Sequence, residues 1–195
     1  MPNFRRRPFR RRRRPFLADR RRPPPAARAA LRQLKQAHEL MDQNQPAEAA
    51  IIFDTLAEKG AKRLIPRAPQ LYLQAGRAWI VAGEIERGME RLDTGLDLMV
   101  QMKQLRRLPV VSQRILTELK DHGLTDQAMV FEVKINDLFA TYGLSLAAAS
   151  TGAQKPRLPA KCTYCGGNVL PDEVEWFDNQ QASCTYCGSL LEALT

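Results

Sequence analysis

The chain has 195 residues, 44% of them hydrophobic and 26% charged, with a formal net charge of +9. That balance fits a globular chain rather than a wholly disordered one, and no apolar run is long enough to span a membrane. The charge is unevenly spread: residues 1–25 hold eleven arginines and one acid, Asp19, leaving 19 basic against 20 acidic side chains in the remainder. Affinity for polyanions is therefore expected of the N-terminal arm and not of the nearly neutral part that follows.

In the arm, Arg5, Arg6, Arg7, Arg10, Arg11, Arg12, Arg13, Arg14, Arg20, Arg21 and Arg22 stand in blocks broken by Pro8, Pro15 and Pro23, with Phe4, Phe9 and Phe16 interspersed. Like-charge repulsion and proline oppose packing, so residues 1–25 are expected to be disordered. Guanidinium groups bond phosphate in bidentate fashion, and phenylalanine stacks on unpaired bases. These eleven arginines are the candidate nucleic-acid-binding residues, with RNA favoured. An acidic protein or an anionic membrane would satisfy the same charges. Arg13-Arg14-Pro15-Phe16-Leu17 superficially resembles a twin-arginine export signal. Asp19, three arginines and three prolines follow where such a signal needs an apolar segment, so export is not expected.

Residues 26–144 show helical periodicity almost throughout. Ala49, Phe53 and Leu56 recur at steps of four and three, and Ile85, Met89, Leu92, Leu96 and Met99 form one stripe. Breakers fall at Asn44 to Pro46, Gly60, Pro66 with Pro69, Gly83, Pro109, Gly123 and Gly143, which predicts six helices in three antiparallel pairs. The pairs repeat: at an offset of 39, Ala37 falls on Gly76, Leu40 on Trp79, Asn44 on Gly83, Ala49 on Gly88 and Phe53 on Leu92. The next step, of 40, puts Gly83 on Gly123 and Gly88 on Ala128, with a poor match of Leu92 to Glu132.

This pattern resembles the tetratricopeptide repeat, although its period exceeds the ~34 residues of the standard unit. The resemblance implies close helix crossings at Ala37 with Ala49 and at Gly76 with Gly88. It also implies a groove that binds a protein partner. One groove mode of that family grips a C-terminal carboxylate with Lys and Asn; Leu34 and His38 stand at the corresponding places, so that mode is not expected.

Residues 145–160, rich in Ala, Ser, Thr and Pro, are expected to be a flexible linker. Residues 161–195 hold all four cysteines, as Cys162-Thr-Tyr-Cys165-Gly and Cys184-Thr-Tyr-Cys187-Gly, with eighteen residues between the pairs. Two intervening residues let both sulfurs of a pair meet one ion, and the following glycine supplies the backbone freedom of the turn. The spacing suits a structural zinc site ligated by Cys162, Cys165, Cys184 and Cys187. Glu173 to Phe177 and Gln180 to Ser183 read as strands around an Asp178-Asn179 turn, with one of Trp176 and Phe177 inside and the other outside. The module resembles the zinc-ribbon family, with these cysteines on its ligand positions.

The fold expected is mainly α: an antiparallel helix-hairpin, tetratricopeptide-like array with a small β zinc-ribbon module and a disordered arm. Cysteines confined to two such pairs fit a reducing, cytoplasmic setting. His38 and His122 are the only histidines, and each reads as a polar surface residue. With no Gly-rich phosphate loop, G-x-S-x-G or H-E-x-x-H, the chain is expected to be a scaffold or adaptor and not an enzyme.

Overall fold

The computed structural model describes residues 24–144, 156–178 and 180–194, so the arginine arm and most of the expected linker lie outside the described residues. Six α-helices occur among the described residues: α1 (Pro25–Asp42), α2 (Pro46–Lys62), α3 (Ala68–Val81), α4 (Ile85–Gln101), α5 (Leu108–Asp121) and α6 (Thr125–Tyr142). A short 3₁₀ turn at Leu105–Arg107 leads into α5. Helices adjacent in sequence pack as α1 on α2, α2 on α3, α3 on α4, and α5 on α6. No helix among the described residues is long and apolar enough to cross a membrane.

All six helices stop in the same way. Asn44, Leu64, Gly83, Lys103, Gly123 and Gly143 each adopt a left-handed conformation, at intervals of 20, 19, 20, 20 and 20 residues. After α1, Asn44 N donates to Met41 O and Gln45 N to Leu40 O; after α3, Gly83 N donates to Ile80 O and Glu84 N to Trp79 O. Equivalent pairs close α2, α4 and α5, which is the Schellman arrangement that satisfies the last helical carbonyls. Three of the expected breakers work differently. Gly60 lies buried inside α2, where an added Cβ would come 3.2 Å from Ala68 Cβ, so it serves close packing rather than termination. Pro69 and Pro109 sit in the first turns of α3 and α5, where a missing N–H costs nothing.

The closest crossing is α3 on α4. A Cβ at Gly76 would lie 2.8 Å from Gly88 O, one at Gly88 would lie 2.5 Å from Ile80 Cγ1, and one at Gly95 2.7 Å from Leu73 Cδ2. Ala37 and Ala49, the expected small pair of the first hairpin, are both fully buried. In the third hairpin Leu116 stands where α3 has Gly76, and α5 and α6 meet through Ile115, Leu119, Phe131 and Ile135 instead.

Asp54, buried on α2, ties three helices together. Trp79 Nε1 donates to it at 2.9 Å, and Arg91 and Arg87 of α4 make charge contacts at 2.9 and 3.5 Å, with the Arg87 guanidinium 3.7 Å above the Trp79 ring centre.

The C-terminal module forms a three-stranded antiparallel sheet, β1 (Glu175–Trp176), β2 (Gln181–Ser183) and β3 (Leu190–Glu192), in that order. β3 has no counterpart in the sequence reading. Asp178 Oδ1 accepts from the amides of Gln180 and Gln181, each at 2.7 Å, and so caps the turn. Trp176 is half-buried with its indole N–H on Pro171 O, while Phe177 is 64% exposed, the inside–outside split expected of neighbours on a strand. Leu158 is buried and Arg157 O accepts from Leu194 N, so the chain is already packed with the sheet before Lys161.

Two substitutions test this account. Leu64 is exposed and held at φ 52, so Leu64→Gly should raise stability by about 1 kcal/mol in denaturant melts, by removing left-handed strain with no packing lost. Gly76→Ala should lower it by about 1–3 kcal/mol, because the added carbon has no free space between α3 and α4.

Candidate metal centre

The four cysteine Sγ atoms lie within 4.8 Å of one another, and Cys162, Cys165 and Cys184 are buried. Cys162 and Cys187 sulfurs are 3.7 Å apart and Cys165 and Cys184 sulfurs 3.8 Å, well beyond a disulfide, and all four thiols are free. The two halves are built alike. Cys162 N donates to Gly167 O and Gly166 N to Cys162 O; Cys184 N donates to Ser189 O and Gly188 N to Cys184 O. Gly166 and Gly188 take φ of 76° and 73°, the conformation for which glycine was expected after each pair.

The donor set fits a thiophilic cation in four-fold coordination. Hydrogen bonds with Cys184 and Cys187, then burial, push the Cys165 thiol up, while hydrogen bonds with Cys165 and Cys184 pull Cys187 down to about 2. Four thiolates at these distances repel one another, so full deprotonation requires a compensating positive ion.

The second knuckle is also the docking point of the module on the helices. Arg67 Nη2 donates to Ser183 Oγ at 3.0 Å, and a Cβ on Gly188 would fall on the Arg67 guanidinium. Gln74 Nε2 donates to the hydroxyl of Tyr186, which is enclosed between the two units, and burial raises that phenol. The corresponding Tyr164 of the first knuckle is 55% exposed. Lys161, before the first knuckle, pairs with Asp42 of α1.

His38 is buried, correcting its reading as a surface residue: its ring lies 5.1 Å from Phe53 and 5.2 Å from Tyr186, centre to centre. Burial lowers its pKa to about 4.

A second polar cluster went unread in the sequence. Glu173 is buried, with Arg114 Nη1 at 3.0 Å and Arg77 Nη2 at 3.9 Å from its Oε1. Arg107 Nη2 donates to its backbone carbonyl at 2.8 Å, and Arg114 Nη2 to Asp172 at 2.7 Å. Arg77 also donates to Glu118 at 2.6 Å. Nothing in a linear pattern marks these residues, because Glu173 lies 59 to 96 positions from its arginine partners and meets them only when the module docks.

Comparison with protein families, curated proteins and solved structures finds no match to the chain.

Elemental analysis of protein purified under reducing conditions should find about one tightly held metal ion per chain. Cys165→Ser or chelation should abolish it and lower the melting temperature of the helices by about 4 °C or more, since the docked module completes their packing. For His38, the unfolded chain takes up a proton near pH 6.5 while the folded chain does so only near 4, so this residue's contribution to stability falls as pH drops through that window. Its ring resonances should therefore remain those of neutral imidazole at pH 5.

Proposed function

We propose that the chain is a non-enzymatic interaction scaffold in which a tetratricopeptide-like array is clamped to a zinc ribbon, and in which the arginine arm engages nucleic acid, RNA in preference to DNA. The observation that carries the reading is the sulfur cluster: a tetrahedron of 2.3 Å zinc–sulfur bonds has edges of about 3.8 Å, the two pairs Cys162–Cys187 and Cys165–Cys184 stand at 3.7 and 3.8 Å, and all four sulfurs lie within 4.8 Å. Zinc with four thiolates has no open position, so it supplies folding free energy and not catalysis. The small-residue crossings of α1 with α2 and α3 with α4 support the tetratricopeptide comparison, and paired cysteines support a reducing, cytoplasmic location.

For the arm, the support is the charge partition, eleven arginines and one acid against a near-neutral remainder. Binding should weaken with salt, the logarithm of affinity falling by roughly 0.7 per phosphate neutralised on single strands and 0.9 on duplex. Deleting residues 1–25 should remove most of the affinity and flatten that slope in fluorescence titrations. Equal binding by the deleted chain would refute the assignment. A full chain that binds no nucleic acid at low salt would favour an arm that contacts acidic protein or membrane.

A further inference from the structure

Three observations converge on the face shared by α3 and α5. Arg67, Arg77, Arg107 and Arg114 all reach the ribbon from this side. The acid that meets them fits incompletely. Glu173 Oε1, Arg77 Nη2 and Arg114 Nη1 are buried in charge contact, yet none has an aligned hydrogen-bond partner there. Beside the Arg114–Asp172 pair opens a crevice of about 540 Å³, lined also by Gln113, Thr117, Glu118, Asn168 and Leu170, through which a solvent-borne group reaches Arg114.

We propose that this arginine-bearing face is a binding surface for an acidic peptide segment, and that the ribbon's own Leu170–Trp176 stretch occupies it as a built-in competitor. The stretch reads Leu-Pro-Asp-Glu-Val-Glu-Trp and shows the chemistry accepted: adjacent carboxylates flanked by apolar residues. Glu118 already neutralises Arg77, which leaves Arg67, Arg107 and Arg114 for three carboxylates, the number the stretch itself carries. An incoming segment gains where Glu173 is deficient, in aligned hydrogen bonds to Arg114 and Arg77. Tethering gives the internal stretch a high effective concentration, so the surface is mostly closed until the ribbon's hold weakens. That hold depends on the knuckle, because Ser183 and Tyr186, which bond Arg67 and Gln74, bracket the ligand Cys184.

The proposal rests on reading the helical array as a protein-binding scaffold, and its test separates the two. A fluorescein-labelled Leu-Pro-Asp-Glu-Val-Glu-Trp peptide is titrated by anisotropy against the full metal-loaded chain. Asp172→Asn and Glu173→Gln should each tighten binding about tenfold by weakening the competitor, and chelation should do the same. Arg114→Gln added to either variant should remove the gain, and a peptide with glutamine at all three acids should not bind. If the variants keep metal and helical circular dichroism but take up no peptide, the proposal is overturned while the scaffold reading stands. It is equally overturned if Arg114→Gln leaves the gain intact, or if a single-stranded oligonucleotide outcompetes the peptide at Arg114.

Discussion

A carboxylate carried out of water must meet compensating charge, and Glu173 is the residue through which that requirement organises this molecule. Its carboxylate meets Arg77 in the middle of α3 and Arg114 within α5, and its backbone carbonyl accepts from Arg107 in the turn before α5. The placement of the third hairpin beside the second, and of the ribbon on both, is therefore one joint solution. Arg77 shows how tightly the pieces depend on each other. Burial alone would weaken its charge, but Glu118, Tyr186 and Glu173 reverse that and raise its pKa. Two of those three groups belong to the ribbon or its docked knuckle. Removing one partner of such a buried set commonly costs ~3–5 kcal/mol, because the others are left charged and dry.

The apolar interior follows the same division. One cluster joins α1, α2 and part of α3 to the ribbon through Phe53, Trp79, Leu158 and Tyr186; the other joins Leu73 and Ile80 of α3 to α4, α5 and α6. Helix α3 contributes to both, which explains why it is almost wholly buried. A module of this size has too little interior to fold unaided. By sharing its interior with α1 to α3, the C-terminal module adds packing to whatever a bound metal contributes.

How much of this was readable from the sequence depends on whether the signal is local. Helices and their stripes were legible because apolar side chains must recur every three or four residues to reach one face. Stops at Asn44, Gly83, Gly123 and Gly143 were legible because these residue types favour left-handed backbone. Leu64 and Lys103 take the same conformation without the chemical signature, and only the near-constant 20-residue spacing marks them. The cysteine cluster was legible because both knuckles are short and self-contained. Strand β3 was not, since three residues of Leu-Leu-Glu acquire their role only by pairing with β2. Nor were the burial of His38, Asp54 and Glu173, because burial of a polar group is decided by what arrives from elsewhere in the chain.

The two knuckles share five identical residues and the same internal bonds, yet the Thr-Tyr pair is buried in the second and exposed in the first. The residue just before each knuckle differs in charge. Ser183 precedes the second and receives Arg67; Lys161 precedes the first and meets Asp42. Turned about, the ribbon would bring the Lys161 ammonium against the Arg67 guanidinium and leave Asp42 facing a serine. The difference in charge at the threshold of each repeat thus adds to the contacts of Glu173 in deciding which knuckle meets Arg67.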